Sequence, residues 1–477
     1  MGLFSTKSLE RIQAESESKN ELRRSLGASS LIALGVGGII GAGIFTLTGV
    51  AAATKAGPGL VISFILAAIG CVFAGLCYSE FSTMIPIAGS AYTYAYATMG
   101  ELIAWIIGWD LVLEYSVGAA TVSIGWSQTL AALLRTLGIN LPARWSASPF
   151  QSITMPDGSM THGILNLPAV LIVVAVSALL IIGIRESAGV NNVIVFLKVG
   201  VILTFIAIGW SYIKPANLTP MIPQNTGHFG DFGYSGLLAG AGVIFFAYIG
   251  FDAVSTAAQE AKLPKRDMPI GIIGSLLVCT VLFILYTHVL TGMVPYRELN
   301  VAAPLSLALT QIPYGWLSIM MNVAVLMGLT SVMLVMLLGQ SRVFFSMAND
   351  RLLPKLFRDV HPRFRTPWRC NLVLMVFVSL FAAFVPIGVV GEMTSIGTLF
   401  AFVIVCAGII IMRKTNPNAP RPFRTPFVPL VPILGILVCF AMMLGLGWTN
   451  WARLVGWLAI GLIIYFGYSR SRSLLSQ

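Results

Sequence analysis

A succession of apolar runs, each long enough to cross a bilayer, governs what this chain can become. They cover 29–53, 59–85, 101–134, 166–184, 191–213, 236–260, 269–293, 314–346, 372–387, 391–412, 428–447 and 451–469. A hydrocarbon core about 30 Å thick is crossed by roughly 20 apolar helical residues. The pattern therefore predicts an all-α polytopic membrane protein of 12 spans. Only 10% of the residues are charged, against about a quarter in soluble proteins. The longest connections, near 135–165 and 347–370, are too short for a soluble domain.

Charge fixes the expected orientation. With the N-terminus inside, 22 of the 29 lysines and arginines fall on the cytoplasmic side. They include Lys7, Arg11, Lys19, Arg23, Arg24, Arg185, Lys262 and seven in the 342–369 loop. Six lie outside, and Lys198 is left within a span. This bias predicts that both termini are cytoplasmic. It also accounts for the net charge of +11 by topology, which argues against a nucleic-acid partner. The first 28 residues carry no cleavable signal pattern, so the first span is expected to be retained and the protein to lie in the inner (cell) membrane of a prokaryote.

Two runs contain sequence that disfavours an unbroken helix. Gly35, Gly37, Gly38, Gly41 and Gly43 fall within nine residues, and each costs a helix about 1 kcal/mol relative to alanine. The second run reads Gly240-Ala241-Gly242-Val243-Ile244-Phe245-Phe246-Ala247-Tyr248-Ile249-Gly250-Phe251-Asp252. Irregular backbone persists at membrane depth only where protein buries it or a polar cavity meets it. Paired interruptions in two halves point to a transporter's binding site. Gly37 with Gly41, and Gly236 with Gly240, also form G-x-x-x-G pairs that suit straight, closely packed helices. The acidic residue that closes the second run favours unwinding. An odd number of spans per unit inverts the second unit. Two inverted five-span repeats are predicted, 29–213 and 236–412, then two extra helices over 428–469. A cytoplasmic segment, 1–28, precedes them and a tail, 470–477, follows.

The run Gly37-Gly38-Ile39-Ile40-Gly41-Ala42-Gly43-Ile44-Phe45 resembles the first-helix signature of the amino acid, polyamine and organocation transporter superfamily. Tyr78-Ser79-Glu80, Ala88-Gly89-Ser90-Ala91-Tyr92 and Gly108-Trp109-Asp110 extend the match. Glu260-Ala261-Lys262 and the stretch from Gly339-Gln340-Ser341-Arg342 to Ala348-Asn349-Asp350 are similar to the cationic amino acid transporter branch, as a bacterial homologue. Together the matches cover most of residues 25–470. The resemblance implies the leucine-transporter fold with helices 1 and 6 broken, and secondary transport of amino acids. It further implies that Phe246 closes over the substrate and that Lys198 stands in for a sodium ion. Ala42 departs from the threonine or serine often found there, so substrate choice does not carry over.

An α-amino acid brings a carboxylate and an ammonium, and both need partners at the midplane. The half-helix that starts after Gly41 would aim N–H groups of Ala42, Gly43 and Ile44 at the carboxylate. Carbonyls near Ile39 and Ile40, and near Phe246, Ala247 and Ile249, would accept from the ammonium. Tyr248 is the alternative aromatic gate, and a bulky side chain at Gly43 is expected to block the site. For coupling, loss of a proton from buried Lys198 would release a brace on the first helix; the alternatives are a permanent cross-link or a lysine reaching the inner surface. Asp252 is either a proton carrier or a cap for loosened backbone. Asp110 and Glu114 share a helical stripe, with Lys198 as a candidate partner. Thr330 and Ser331 are candidate contacts of Lys198, while Glu80 and Glu101 read as structural.

The expected activity is proton-coupled import of an L-amino acid by alternating access, with exchange as the alternative and a sensor or channel as a remote one. Rings of like charge that mark channels are missing. So are the nucleophile and base, or the phosphate loop, that an enzyme needs. The six cysteines and four histidines lack metal-ligand spacing, so neither metal nor cofactor is expected.

Overall fold

The computed structural model describes residues 5–7, 26–85, 90–154, 160–183, 188–258 and 261–474. The charges at Arg11, Lys19, Arg23, Arg24 and Arg185, and the Ala88-Gly89 and Glu260 portions of the motifs above, lie outside the described residues. Helix α1 (Ala28–Ile39) is followed by a wound stretch, α2, built from Gly43–Leu47, Thr48–Ala51 and Ala52–Ala56. Next come α3 (Leu60–Met84), α4 (Ser90–Thr98) and α5 (Glu101–Thr136). A hairpin of β1 (Ser152–Thr154) and β2 (Met160–His162) precedes α6 (Leu167–Ile182) and α7 (Ala188–Gly209). Then follow α8 (Gly233–Ile244), α9 (Ala253–Thr256), α10 (Pro264–Met293), α11 (Pro304–Leu309) and α12 (Gly315–Asn349). The chain closes with α13 (Trp368–Phe384), α14 (Ile387–Thr415), α15 (Leu430–Gly445) and α16 (Trp448–Ile464).

Among the described residues seven helical stretches are long and apolar enough to cross a membrane, and five shorter apolar helices accompany them. One of the seven, Gly43–Met84, turns at Gly57, where φ is +59° and Pro58 follows. Side chains are sorted as a bilayer demands: Phe196, Leu203, Val281, Val376 and Ile463 face outward. Asp110, Glu114, Lys198 and Asp252 are buried, since an ionisable group in hydrocarbon survives only against protein.

Local chemistry sets the helix ends. Asn166 accepts from Ala169 N at 3.3 Å to cap α6, which ends at Gly183 with φ +81°. Helix α10 starts at Pro264, earlier than the apolar run at 269, because Pro264 suits the first turn and Asp267 accepts from Leu263 N at 3.1 Å. Pro269, within that opening stretch, does not stop the helix. Helix α13 runs Trp368–Phe384 where the hydropathy outlined 372–387. Pro386 pushes Val385 into an extended conformation and ends it.

Helix α1 packs on α7 and α10, and α12 packs on α5 and α7. At the Lys55 end of the bundle, Lys55 O accepts from Phe232 N at 2.8 Å and Lys55 Nζ pairs with Asp231 at 3.3 Å. At the opposite end, which carries the termini, Lys262 N donates to Leu26 O at 2.8 Å. On that side Glu80, fully buried, receives Arg413 in a fork at 2.9 and 2.8 Å. It also pairs with Arg421 at 3.2 Å and accepts from Thr425 N at 2.8 Å. One carboxylate thus ties α3 to the segment between α14 and α15.

Removing a partner from a buried ion network leaves uncompensated charge. Glu80→Gln is expected to cost about 3 kcal/mol. The check is the thermal midpoint of the detergent-solubilised protein, with Glu80→Asp falling in between.

Candidate substrate and coupling site

Helix α1 stops where its glycines accumulate. Ile40 takes an extended conformation, φ −72° and ψ 101°, and regular winding resumes only at Gly43. Helix α8 tightens into a narrow turn over Phe245–Tyr248, then Ile249 is extended, φ −61° and ψ 135°. Gly250 follows at φ +116°, a conformation that side chains other than hydrogen rarely adopt. A helix start leaves its first N–H groups without intrahelical partners, and a helix end does the same to its carbonyls. The two interruptions touch backbone to backbone. A Cβ on Gly250 would stand 2.7 Å from the carbonyl of Gly38, and one on Gly43 would stand 2.7 Å from Ala247 N.

These crossings bring Gly43 against Ala247 and the Ile39 amide to 3.2 Å from where a Gly250 Cβ would stand, whereas a Cβ on Gly41 would lie 3.3 Å from Val332 of α12; Ile39, Ile40, Ala42, Ile44, Phe246, Ala247 and Ile249 are all buried. Gly43 faces Ala247 itself, so a valine there would also press the two interruptions apart. Tyr248 donates to Phe64 O at 3.1 Å and packs edge-on against Phe64 and Phe283. Among the described residues Phe246 meets no aromatic ring. Ala42 packs toward α5, where a Cβ on Gly125 would lie 3.3 Å from it and 3.1 Å from the Thr46 hydroxyl.

Lys198 Nζ donates to Gly37 O at 2.6 Å. Its stem lies across Gly328 of α12, whose missing Cβ would stand 2.9 Å from the lysine Cε. One cation therefore ties α7 to the last turn of α1 and to α12. Thr330 turns its hydroxyl to Leu326 O of its own helix at 2.8 Å.

A second polar centre is built by α5. The helix widens over Leu113–Val117, a bulge of the kind that often accompanies functional sites. The bulge brings Glu114 and Tyr115 toward the second interruption together. Tyr115 donates to Asp252 Oδ2 at 2.5 Å, and Glu114 lies beside the same carboxyl. Asp252 makes no side-chain cap on the turn that follows, so its carboxyl serves Tyr115 instead. Tyr78 and Tyr94 close the cluster, each within electrostatic reach of Asp252. Asp110, four residues before Glu114, lies 3.2 Å from where a Gly397 Cβ would be, and its oxygens meet no hydrogen-bond donor among the described residues. Tyr115 escaped the sequence reading, because without the bulge regular periodicity does not aim positions 114 and 115 at one target; Tyr78, read there only as part of a motif, comes to the cluster from α3. Glu101 accepts from Tyr96 and Tyr465, each at 3.0 Å, away from this centre. No group of three or more His, Cys, Asp or Glu among the described residues is arranged to hold a metal ion.

Apolar spans, lipid-facing hydrophobes and an interior of buried charge define a multi-pass membrane protein. The sequence profile of the amino acid permease family matches residues 26–467, and the chain belongs to that family. It is 44% identical over 475 residues to the methylthioribose transporter of Bacillus subtilis (strain 168), covering 100% of this chain and 99% of that one. It is also 44% identical over 476 residues to the branched-chain amino acid permease BcaP of the same organism, with the same coverage. The vacuolar cationic amino acid transporter 4 of Arabidopsis thaliana is 35% identical over 405 residues, 85% of this chain and 66% of that one. Such relatives are permeases and transporters, not enzymes.

Gly250→Ala forces a side chain onto the Gly38 carbonyl and into a left-handed conformation. Strain of this kind costs about 1–3 kcal/mol. The variant is expected to lose substrate binding at least as strongly as stability, read by calorimetric titration beside a melting curve.

Proposed function

We propose that this protein imports neutral L-amino acids with apolar side chains, coupled to protons, by alternating access. The observation that carries the reading is the backbone contact of the two interruptions, Gly38 with Gly250 and Gly43 with Ala247, with Lys198 held on Gly37 O beside it. In this reading the chain has twelve spans, with inverted repeats over 29–213 and 236–412 and the helices of 428–469 added. Both termini are cytoplasmic. N–H groups of Ala42, Gly43 and Ile44 take the substrate carboxylate. Carbonyls of Ile39, Ile40, Phe246, Ala247 and Ile249 take the ammonium, Gly41 gives the backbone room to turn, and Phe246 closes over the bound molecule. Tyr248, held on Phe64 O, supports the wall behind it.

Two facts favour a neutral side chain. Asp252, the acidic residue nearest the second interruption, already serves Tyr115 and lies beside Glu114. Two relatives at 44% identity bear the names of transporters for branched-chain amino acids and for methylthioribose, both uncharged. The cationic amino acid transporters are more distant at 35%. Coupling is assigned to Lys198, whose deprotonation would free the last turn of α1, and to the Glu114–Asp252 pair, which receives the proton. Exchange is the second reading, favoured by the same Lys198 bond if the lysine stays charged as a fixed brace.

The test is uptake of radiolabelled amino acids into proteoliposomes with and without an inward proton gradient, and with amino acid preloaded inside. Accumulation of branched-chain or small neutral substrates driven by the gradient is expected, with arginine and lysine excluded. Lys198→Ala is expected to abolish gradient-driven accumulation. Undiminished accumulation in that variant removes Lys198 from coupling, and uptake that requires preloaded amino acid makes the protein an exchanger.

A further inference from the structure

The connection between α12 and α13 lies at the terminal end of the bundle, where Leu474 N donates to Asp350 O at 3.3 Å and Ser469 donates to Leu352 O at 2.6 Å. Over 355–369 it carries five cations, Lys355, Arg358, Arg363, Arg365 and Arg369, against one acid, Asp359. Asp359 is taken by Arg369 at 2.7 Å. Among the described residues Lys355, Arg358, Arg363 and Arg365 form no ion pair. On the same side of the molecule Arg413 and Arg421 are occupied by Glu80.

Membrane orientation needs only a count of positive charge, whatever the shape of the loop that carries it. This loop has a defined shape. His361 N donates to Thr366 O at 2.8 Å and Arg365 N donates to His361 O at 3.0 Å, which closes the backbone of 361–366 on itself. Inside that closure His361 Nδ1 accepts from Arg363 N and Phe364 N, each at 3.2 Å. Thr366 donates to Ile181 O at 2.6 Å, so the closed loop is seated on the end of α6. Arg365 is held at φ +55°, a conformation uncommon outside glycine. Folding therefore fixes the backbone that presents Arg363 and Arg365, both exposed, and little ordering is left for a ligand to impose.

Depth decides which anion fits. Val373 and Val376 of α13 are exposed on an apolar span, on a face that lipid chains cover. At 1.5 Å per residue Arg369 stands roughly 6 Å beyond Val373, and the headgroup layer adds roughly 5–8 Å to each side of the hydrocarbon. Arg369, whose guanidinium lies 5.2 Å over the Trp368 ring, is thus level with lipid phosphates. The seat on Ile181 keeps Arg363 and Arg365 near the exposed Ile182 at the end of α6. Leu356 and Val360 are exposed among the cations; apolar side chains at that depth meet acyl chains, which a free anion lacks.

We propose that residues 355–369 bind an acidic phospholipid, with its phosphate on Arg363 and Arg365 and its acyl chains along Val373 and Val376. A guanidinium donates to two phosphate oxygens at once, which favours arginine there. Lys355 and Arg358 attract the net negative charge that separates an acidic headgroup from a zwitterionic one. Bound lipid stabilises the folded chain by mass action.

The experiment uses the full chain, delipidated in detergent at roughly 0.15 M salt, where exposed charges more than about 8 Å apart are largely screened. The probes are phosphatidylglycerol, phosphatidylcholine with the same acyl chains, and inorganic phosphate. Native mass spectrometry counts bound lipid, and melting curves report stabilisation. The parent is expected to hold phosphatidylglycerol about tenfold more tightly than phosphatidylcholine and to melt higher with it. Arg363→Gln with Arg365→Gln is expected to weaken phosphatidylglycerol about thirtyfold, roughly fivefold for each cation. Lys355→Gln with Arg358→Gln, outside the closed loop, is expected to weaken it about tenfold and to leave phosphatidylcholine unchanged. Lys414→Gln with Arg424→Gln removes two exposed cations from the connection between α14 and α15, and is expected to change binding less than about threefold. Undiminished binding in both loop variants overturns the site. Equal losses in all three pairs also overturn it, since general surface charge then suffices. So does equal retention of the two lipids, and so does inorganic phosphate that stabilises as well as phosphatidylglycerol, which assigns the loop to a free anion. Size-exclusion profiles confirm that each variant is folded. Lipid binding needs no transport, so its outcome stands apart from that of the uptake assay.

Discussion

Inside hydrocarbon a backbone N–H or C=O that leaves its helix finds no water, and each one left unmatched costs several kcal/mol. The interior of this protein is arranged around that constraint. Helix α1 ends at Ile39 and the turn after α8 ends at Ile249, so the chain frees backbone groups twice where it is most costly. They are tolerated because the two interruptions lie against each other. Gly38 meets Gly250, Gly43 meets Ala247, and Lys198 accounts for the Gly37 carbonyl. Any larger residue at Gly250 or Gly43 would separate the segments and expose what their contact covers.

The same constraint explains where the charges are. A lysine buried to 1% exposure cannot sit against apolar side chains alone, and Lys198 is seated by a carbonyl ahead of it and the open space over Gly328 behind it. The carboxyls of Glu114 and Asp252 are neighbours instead of being kept apart, and the Tyr115 hydroxyl is supplied to one of them. The proposed coupling thus draws on two centres, a cation on the first interruption and an acid pair on the second, joined through the backbone contact between those interruptions.

Much of this was legible in the chain. Apolar runs of bilayer length gave the helical architecture, and the glycines of 35–43 with Gly250 marked where winding fails. Glu80 and Glu101 read as structural, and each is consumed by partners near the terminal end: arginines and a backbone N–H for one, tyrosine and serine hydroxyls for the other. Other features were not legible. The partner of Asp252 is Tyr115, which regular periodicity does not aim at it, because a local bulge in α5 re-registers the helix. The close approach of Ala247 to Gly43 joins residues 204 positions apart, which glycine spacing does not reveal. Lys7 reads as one more cytoplasmic charge, yet it is buried against Asp350, 343 residues away.

The division follows from the range of the forces. Hydropathy, helix propensity and glycine freedom act within a turn or a span, so the sequence by itself determined that this is a helical membrane protein with two weakened helices and one lysine within a span. Which backbone groups meet across those weak points, which tyrosine completes which carboxyl, and which terminal lysine pairs with Asp350 depend on contacts between residues far apart in the chain. Those contacts are fixed only when every buried polar group finds a partner at once, and the tertiary structure alone decided that pairing.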